Sequence, residues 1–145
     1  MNGLISVEEL KESIQDNTIL VSTQFANNEI GTIQDIKAIS EICKENSIAF
    51  MTDATQVVGK LEVDIERLNI DLLCLSSHKI NGPKGVGALY KRKKIKLNPL
   101  FHGGDQEGGL RAGTLNTAGI VGFGKACEIA KRDIKENHEK LSKTQ

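Results

Sequence analysis

The sequence predicts an α/β fold in which a mainly parallel sheet is flanked by helices. The segments that resemble strands are continuous apolar runs, and helical or long connections separate them. Continuous apolar strands are typical of parallel sheets that are covered on both faces, and parallel neighbours require long crossovers. A length of 145 residues suits one domain. We therefore treat 1–145 as one unit, with an ordered core over 3–135 and a polar tail over 136–145.

The first half of the chain predicts two helices and two strands. Ser6, with Glu9 three residues later, forms a capping box that opens a short amphipathic helix. Thr32, with Asp35 three residues later, precedes an apolar stripe at helical spacing and predicts the start of a second helix. The predicted strands are a buried one at 18–22 and another at 48–52, with a polar loop after the first.

The second half predicts two strands, a glycine-rich loop and a long helix. The strands cover 70–75 and 86–90, and the Gly-Pro-Lys-Gly sequence at 82–85 predicts a turn between them. The segment 101–113 contains five glycines and is too rich in glycine for the interior of a helix or strand. It predicts a long functional loop. Apolar residues at helical spacing predict the last helix from Thr117 onward.

Composition excludes several classes of function. There are 19 basic and 19 acidic side chains, so no net charge favours nucleic acid or an acidic membrane surface. No apolar run is long enough to cross a membrane. Cys43, Cys74 and Cys127 lack the spacing of a metal site and lie on apolar stripes or inside a strand, which is typical of buried thiols. We expect a cytoplasmic protein with reduced cysteines and no metal.

Polar side chains follow the predicted strands at the points where the strands end. Asp53 comes directly after the second strand, Ser76 to Lys79 follow the third, and Asn28 lies in the loop after the first. Ligands of parallel sheets bind beyond the carboxyl ends of the strands. The three clusters should therefore converge on one edge of the sheet.

This set of groups suits a pyridoxal phosphate site. A desolvated lysine such as Lys79 can form a covalent link with an aldehyde cofactor, and Asp53 can pair with the pyridinium nitrogen. Gln56 can donate to the phenolate oxygen of the ring. Without the other groups, Lys79 would be an ordinary surface lysine, Asp53 a capping residue and Gln56 a surface amide.

Hydroxyl and imidazole groups near the lysine suit the phosphate of such a cofactor. Ser76, Ser77 and His78 precede Lys79, and their side chains and backbone N–H groups can bind an anion. Thr114 can add a further hydroxyl. The alternatives are a plain turn at the end of the strand for the first three and a loop cap for Thr114.

Six segments in order resemble cysteine desulfurases of the NifS/IscS type, which are class V members of the fold-type-I pyridoxal phosphate enzymes. They are Ala26–Gly31, Gln34–Ile36, Asp53–Lys60, Ser76–Lys79, Gly82–Tyr90 and Gly108–Asn116. The likeness runs from about Gly3 to about Ala130. It implies an incomplete large domain of that fold, with pyridoxal 5'-phosphate as the cofactor.

The resemblance implies a role for each candidate residue. Lys79 holds the cofactor and moves protons at the substrate carbon, Asp53 pairs with the ring nitrogen, and Gln56 and Asn28 contact the oxygen side of the ring. Ser76, Ser77 and His78 bind the phosphate in this family, while Thr114 reaches the cofactor of a neighbouring subunit, since the family forms homodimers. The reaction takes sulfur from L-cysteine, releases L-alanine and passes a persulfide to an acceptor protein for iron–sulfur cluster or thionucleoside assembly.

The family also has parts that this sequence does not match. They are an early histidine that stacks on the ring, a further part of the phosphate site and a loop cysteine that acts as the nucleophile. We therefore expect a central fragment of the large domain that is inactive alone and self-associates through exposed strand edges. The alternatives are a remnant without catalytic function that only self-associates, and a segment of another class V enzyme such as selenocysteine lyase.

Overall fold

The computed structural model describes residues 3–142, and its helices and strands follow the predicted order. The helices are α1 (Val7–Ser13), α2 (Ile36–Glu45) and α3 (Thr117–Ser142), and the strands are β1 (Leu20–Gln24), β2 (Ala49–Asp53), β3 (Leu72–Ser76) and β4 (Gly87–Lys91). Two short 3-10 helices cover Ser77–Ile80 and Gln106–Gly109. No helix within residues 3–142 is long and apolar enough to cross a membrane.

The four strands form one sheet in the order β1-β2-β3-β4, which confirms the predicted α/β class. β1, β2 and β3 run parallel, and β4 returns antiparallel to β3. Gln24 pairs with Asp53, and Asp53 pairs with Cys74. The three parallel strands therefore end side by side, at the edge where ligands of such sheets bind.

α1 starts at the predicted capping residue Ser6, whereas α2 starts three residues later than predicted, with Asp35 and not Thr32 as its cap. The Ser6 hydroxyl accepts a hydrogen bond from the Glu9 N–H at 3.1 Å, and the Asp35 carboxylate accepts one from the Ala38 N–H at 3.0 Å. Each cap satisfies one of the N–H groups that the first turn of a helix leaves without a partner. α3 begins in the same way, since the Asn116 side chain accepts from the Gly119 N–H at 3.0 Å.

The expectation that the first strand is buried is wrong. β1 is an outer strand of the sheet, and Ile19 just before it is 83% exposed. Val21 is half-buried against the core, whereas Leu20 points away from it and is exposed. Every strand also begins one or two residues later than its apolar run, because the first residues of each run complete the preceding connection.

Two apolar clusters hold the layers together. In the larger one, α2 covers one face of the sheet and buries Ile36 and Ile39 against Phe50 and Ile70. In the smaller one, Phe123 and Ala126 of α3 pack on Ile80, which belongs to the 3-10 helix after β3. α3 therefore supports the segment that carries Lys79.

A buried acid ties the starts of the strands together. Asp71 is 6% exposed, and its Oδ2 accepts a hydrogen bond from the Phe50 N–H at 3.2 Å. Its Oδ1 lies 3.4 Å from Arg92 Nε and 3.1 Å from Lys94 Nζ. Since Arg92 also contacts the carbonyl of Ile70 at 3.1 Å, the cluster links β2, β3 and the end of β4.

Cys43 is expected to resist alkylation in the folded chain. Burial, and then the negative charge of Asp71, raises the pKa of this thiol from 9.0 to about 11. At pH 8 a shift of this size lowers the thiolate population by about a hundredfold. Mass spectrometry after iodoacetamide treatment should show Cys43 unmodified in the native chain and modified in urea. Equal labelling rates in the two states would contradict the burial described above.

Candidate functional site

The carboxylate of Asp53 lies at the carboxyl end of β2, where three backbone segments meet. The backbone carbonyl of Asp53 accepts a hydrogen bond from the Phe25 N–H at 2.9 Å, and the side-chain Oδ1 accepts one from the Thr55 N–H at 2.9 Å. The side chain is half-buried, and the thiol of its neighbour Cys74 hydrogen-bonds to the carboxylate. A carboxylate accepts about four hydrogen bonds, so Asp53 is held in place with capacity for a ligand.

The lysine lies on a tight corner between β3 and β4. The 3-10 helix Ser77–Ile80 follows β3 directly and ends at Asn81, whose φ of 61° is left-handed. The corner is closed by hydrogen bonds from the Ser77 N–H to the Val86 carbonyl at 3.1 Å and from the Gly82 N–H to the Ser77 carbonyl at 3.0 Å. His78 and Lys79 are exposed on its surface.

Glycine at position 87 allows β4 to approach this corner. Gly87 pairs with Ser76, and a Cβ at Gly87 would lie 2.6 Å from the carbonyl oxygen of Leu75. Only a residue without a side chain fits this approach without displacing the backbone of β3. Any residue larger than glycine at position 87 would therefore shift the strand end that carries Ser76 and Lys79.

Ser76 and Ser77 have different surroundings. The Ser76 hydroxyl lies 2.7 Å from His78 Nδ1, and both side chains are accessible. Ser77 is fully buried, and its Oγ lies against Gly82 without a hydrogen-bond partner among the described residues. The corner thus presents Ser76, His78 and Lys79 to solvent and turns Ser77 toward α3.

Gln56 lies in the turn that follows Asp53. The side chain is half-buried, and its Oε1 accepts a hydrogen bond from Lys60 Nζ at 3.0 Å. The backbone N–H groups of Val57 and Val58 bond to the Ala54 carbonyl at 2.9 and 3.0 Å. These tight turns hold Gln56 near the carboxyl end of β2, beside Asp53 in the chain.

The loop after β1 presents Asn28 at the same edge. Asn27 organises this loop, because its Oδ1 accepts from the N–H groups of Glu29 and Ile30 at 2.8 and 3.1 Å. Its amide also donates to Gln24 at the end of β1, at 3.2 Å. Asn28 is exposed. The sequence indicated a loop here but not these hydrogen bonds of Asn27. An Asn side chain that accepts from the backbone N–H two residues later nevertheless forms a common type of turn.

Thr114 lies in a different part of the structure. It is exposed and lines a cavity of about 500 Å³ whose walls all come from 101–114. Hydrogen bonds within this loop stabilise it, since the Gly113 N–H donates to Gln106 Oε1 at 3.0 Å and the Arg111 side chain donates to the Ala112 carbonyl at 2.6 Å. The ends of β2 and β3, which carry Asp53 and the corner of Lys79, therefore lie side by side in the sheet, whereas Thr114 lines a cavity within the 101–114 loop.

Of the three thiols predicted to be buried, Cys43 is buried, whereas Cys74 and Cys127 are only half-buried. Burial raises the pKa of Cys74 and of Cys127 above the usual value, and for Cys74 the Asp53 carboxylate adds to the increase. Neutral thiols are poor nucleophiles and poor metal ligands. No cluster of side chains suited to a metal ion occurs in the part of the chain that the structure describes.

The arrangement of an amine, a carboxylate, an amide and a hydroxyl–imidazole pair at one sheet edge can be compared with known families. The family model described as aminotransferase class-V matches residues 1–145. The chain belongs to the class-V aminotransferase family.

Class-V relatives with named activities match nearly the whole chain. A cysteine desulfurase, IscS, of Clostridium botulinum is 58% identical over 140 residues, which are 97% of this chain and 35% of that protein. The solved structure "SspA in complex with cysteine" superposes with a TM-score of 0.84 at 50% identity, over 88% of this chain and 37% of that one. A "NIFS-like protein" gives 0.89 at 44% identity, over 93% and 38%. The chain spans about a third of the length of these class-V relatives.

Proposed function

We propose that this chain is the part of a cysteine desulfurase large domain that binds pyridoxal 5'-phosphate covalently. The observation that carries the proposal is the junction of β2 and β3, which pairs Asp53 with Cys74 and sets the corner of Lys79 just beyond it. The chain's likeness to IscS of Clostridium botulinum, a named cysteine desulfurase, supports the substrate class.

The donor set of this edge fits the cofactor. The half-buried Asp53 offers a carboxylate for a protonated ring nitrogen, and the exposed Lys79 offers an amine for the aldehyde. Ser76 and His78 lie 2.7 Å apart and offer a hydroxyl and an imidazole for a phosphate. Ser77 offers a further hydroxyl, which is buried beside Gly82 and has no hydrogen-bond partner among residues 3–142.

We assign each residue one task in the reaction. When bound, the cofactor serves as an electron sink for a substrate carbanion. Asp53 keeps the ring nitrogen protonated, Gln56 and Asn28 bind the phenolate side of the ring, and Ser76 and His78 hold the phosphate. Lys79 binds the cofactor and moves the proton at the substrate carbon.

The substrate of the whole protein is then L-cysteine. A cysteine thiol of the whole protein, which no cysteine of this chain matches, attacks the substrate sulfur, and the carbon–sulfur bond breaks. The sulfur becomes the outer atom of a persulfide that serves an acceptor protein, while the substrate carbon takes up a proton and L-alanine is released. We further propose that the chain forms a cytoplasmic homo-oligomer, in which Thr114 serves the cofactor of a neighbouring copy. The exposed apolar side chains of Ile19, Val121 and Leu100, which are 83, 72 and 83% exposed, support association with further protein surface.

Reductive labelling tests the covalent site. The chain is mixed with pyridoxal phosphate, treated with borohydride, digested and analysed by mass spectrometry. We expect a single dominant label on Lys79, because Asp53 and the Ser76–His78 pair orient the cofactor there. Labels spread evenly over the exposed lysines, among them Lys44 and Lys84, would contradict the proposal.

A further inference from the structure

Gln56, which belongs to the proposed site, is paired with Lys60, a residue that has no task in the reaction described above. Gln56 Oε1 accepts from Lys60 Nζ at 3.0 Å, across four positions of the chain. The N–H groups of Lys60 and Leu61 both bond to the Val57 carbonyl at 2.9 Å. These turns, which include Gly59 with a left-handed φ of 81°, place the Gln56 and Lys60 side chains within hydrogen-bond distance.

The chemistry of the pair fixes the direction of the amide. A glutamine amide has one oxygen that accepts and one NH2 group that donates, whereas a lysine ammonium can only donate. Lys60 can therefore bind only Oε1, and the opposite end of the amide is Nε2 with its two hydrogens. Without such a partner, the two orientations of the amide differ little, and only the hydrogen-bond network decides between them.

We infer that Lys60 is a positioning residue that holds the Gln56 amide so that its NH2 group faces an anionic ligand oxygen at the sheet edge. This inference rests on the proposed function, in which that oxygen is the phenolate of pyridoxal phosphate. An amide turned the other way would place Oε1 against the phenolate, and two acceptors repel each other. Lys60 thus acts on the cofactor through Gln56 and does not contact it.

The expected change in cofactor affinity depends on how exposed the Lys60 and Gln56 side chains are. Lys60 is exposed, so water competes for its hydrogen bond, and Gln56 is half-buried. Hydrogen bonds that involve a charged group at such positions are modest. We expect the loss of the Lys60 ammonium to raise the cofactor dissociation constant by about threefold to tenfold.

The first test measures cofactor affinity by absorbance titration with pyridoxal phosphate. Lys60→Met keeps the aliphatic stem and removes the donor, and it should raise the dissociation constant by about threefold to tenfold. Lys60→Arg keeps a donor and should restore affinity to within about twofold. Lys44→Met is the matched control, since Lys44 is also exposed but lies at the opposite edge of the sheet, and it should bind like the unchanged chain. In a Gln56→Ala background, Lys60→Met should have no further effect, because the residue through which Lys60 acts is gone.

The second test needs no cofactor. In NMR spectra of the 15N-labelled chain, the Gln56 side-chain NH2 signals should shift and gain mobility in Lys60→Met but not in Lys44→Met. Unchanged Gln56 signals, or equal dissociation constants for Lys60→Met and Lys44→Met, overturn this inference and leave the proposed function standing. Failure of the unchanged chain to bind pyridoxal phosphate through Lys79 overturns both.

Discussion

Lys79→Ala is expected to abolish the visible absorbance that appears when pyridoxal phosphate is added to the chain. Lys79 carries the amine of the 3-10 helix that follows β3 directly, whereas its neighbours Ser76 and His78 carry no amine that could form a covalent link with the cofactor aldehyde. The remaining contacts are noncovalent, so the affinity should fall by at least about tenfold, or roughly 1.4 kcal/mol. The measurement is an absorbance titration of both chains.

Lys44→Ala is the control for this titration. Lys44 is an exposed lysine on the last turn of α2, at the opposite edge of the sheet. It should leave the band unchanged, whereas a band of equal strength in Lys79→Ala and the unchanged chain would show that the cofactor reacts elsewhere. Circular dichroism of both variants verifies that the fold is intact.

Asp71→Ala is expected to destabilise the chain by about 1–3 kcal/mol, which is typical of leaving a buried N–H group without its acceptor. The substitution leaves the buried Phe50 N–H without its acceptor and removes the negative charge between Arg92 and Lys94. Asp71→Asn should cost less, since an amide oxygen can still accept from Phe50. Urea unfolding followed by circular dichroism measures the free energies.

Glu41→Ala is the matched control for charge removal. Glu41 pairs with Lys37 at 3.0 Å across one turn of α2, and both side chains are about half exposed. Such a pair contributes roughly 0.3–0.5 kcal/mol. If Asp71→Ala cost no more than Glu41→Ala, the cluster at the strand starts would be an ordinary surface network.

The predicted fold was confirmed because apolar runs and caps carry most of the information about an α/β sheet. Ser6 and Asp35 each cap a helix with one side-chain hydrogen bond, and residues of these types before an apolar stripe can be recognised in the sequence. The exposure of β1 was missed because burial depends on which strand lies at the edge of the sheet, and a single apolar run does not reveal the strand order. Asp71 was missed in the same way, although an acid inside the run 70–75 is itself a signal that a cation must lie nearby.

The sheet topology predicts where the candidate residues lie, but not the contacts that they make there. The ends of β2 and β3 identify Asp53 and Lys79, since the parallel topology alone brings them to one edge. The inward turn of Ser77 depends on the geometry of a 3-10 helix and on Gly82, which periodicity does not reveal. The contact of Lys60 with Gln56 depends equally on turns that no propensity predicts.

The closure of the lysine corner by β4 has a consequence for the order of synthesis. Asn28, Asp53, Gln56 and Lys79 are all translated before β4 ends at Lys91, and the backbone bonds that shape the corner join residues close together in sequence. Contacts of short sequence separation form early. The corner can therefore take its shape as soon as β4 has left the ribosome, while the loop with Thr114 is still inside it.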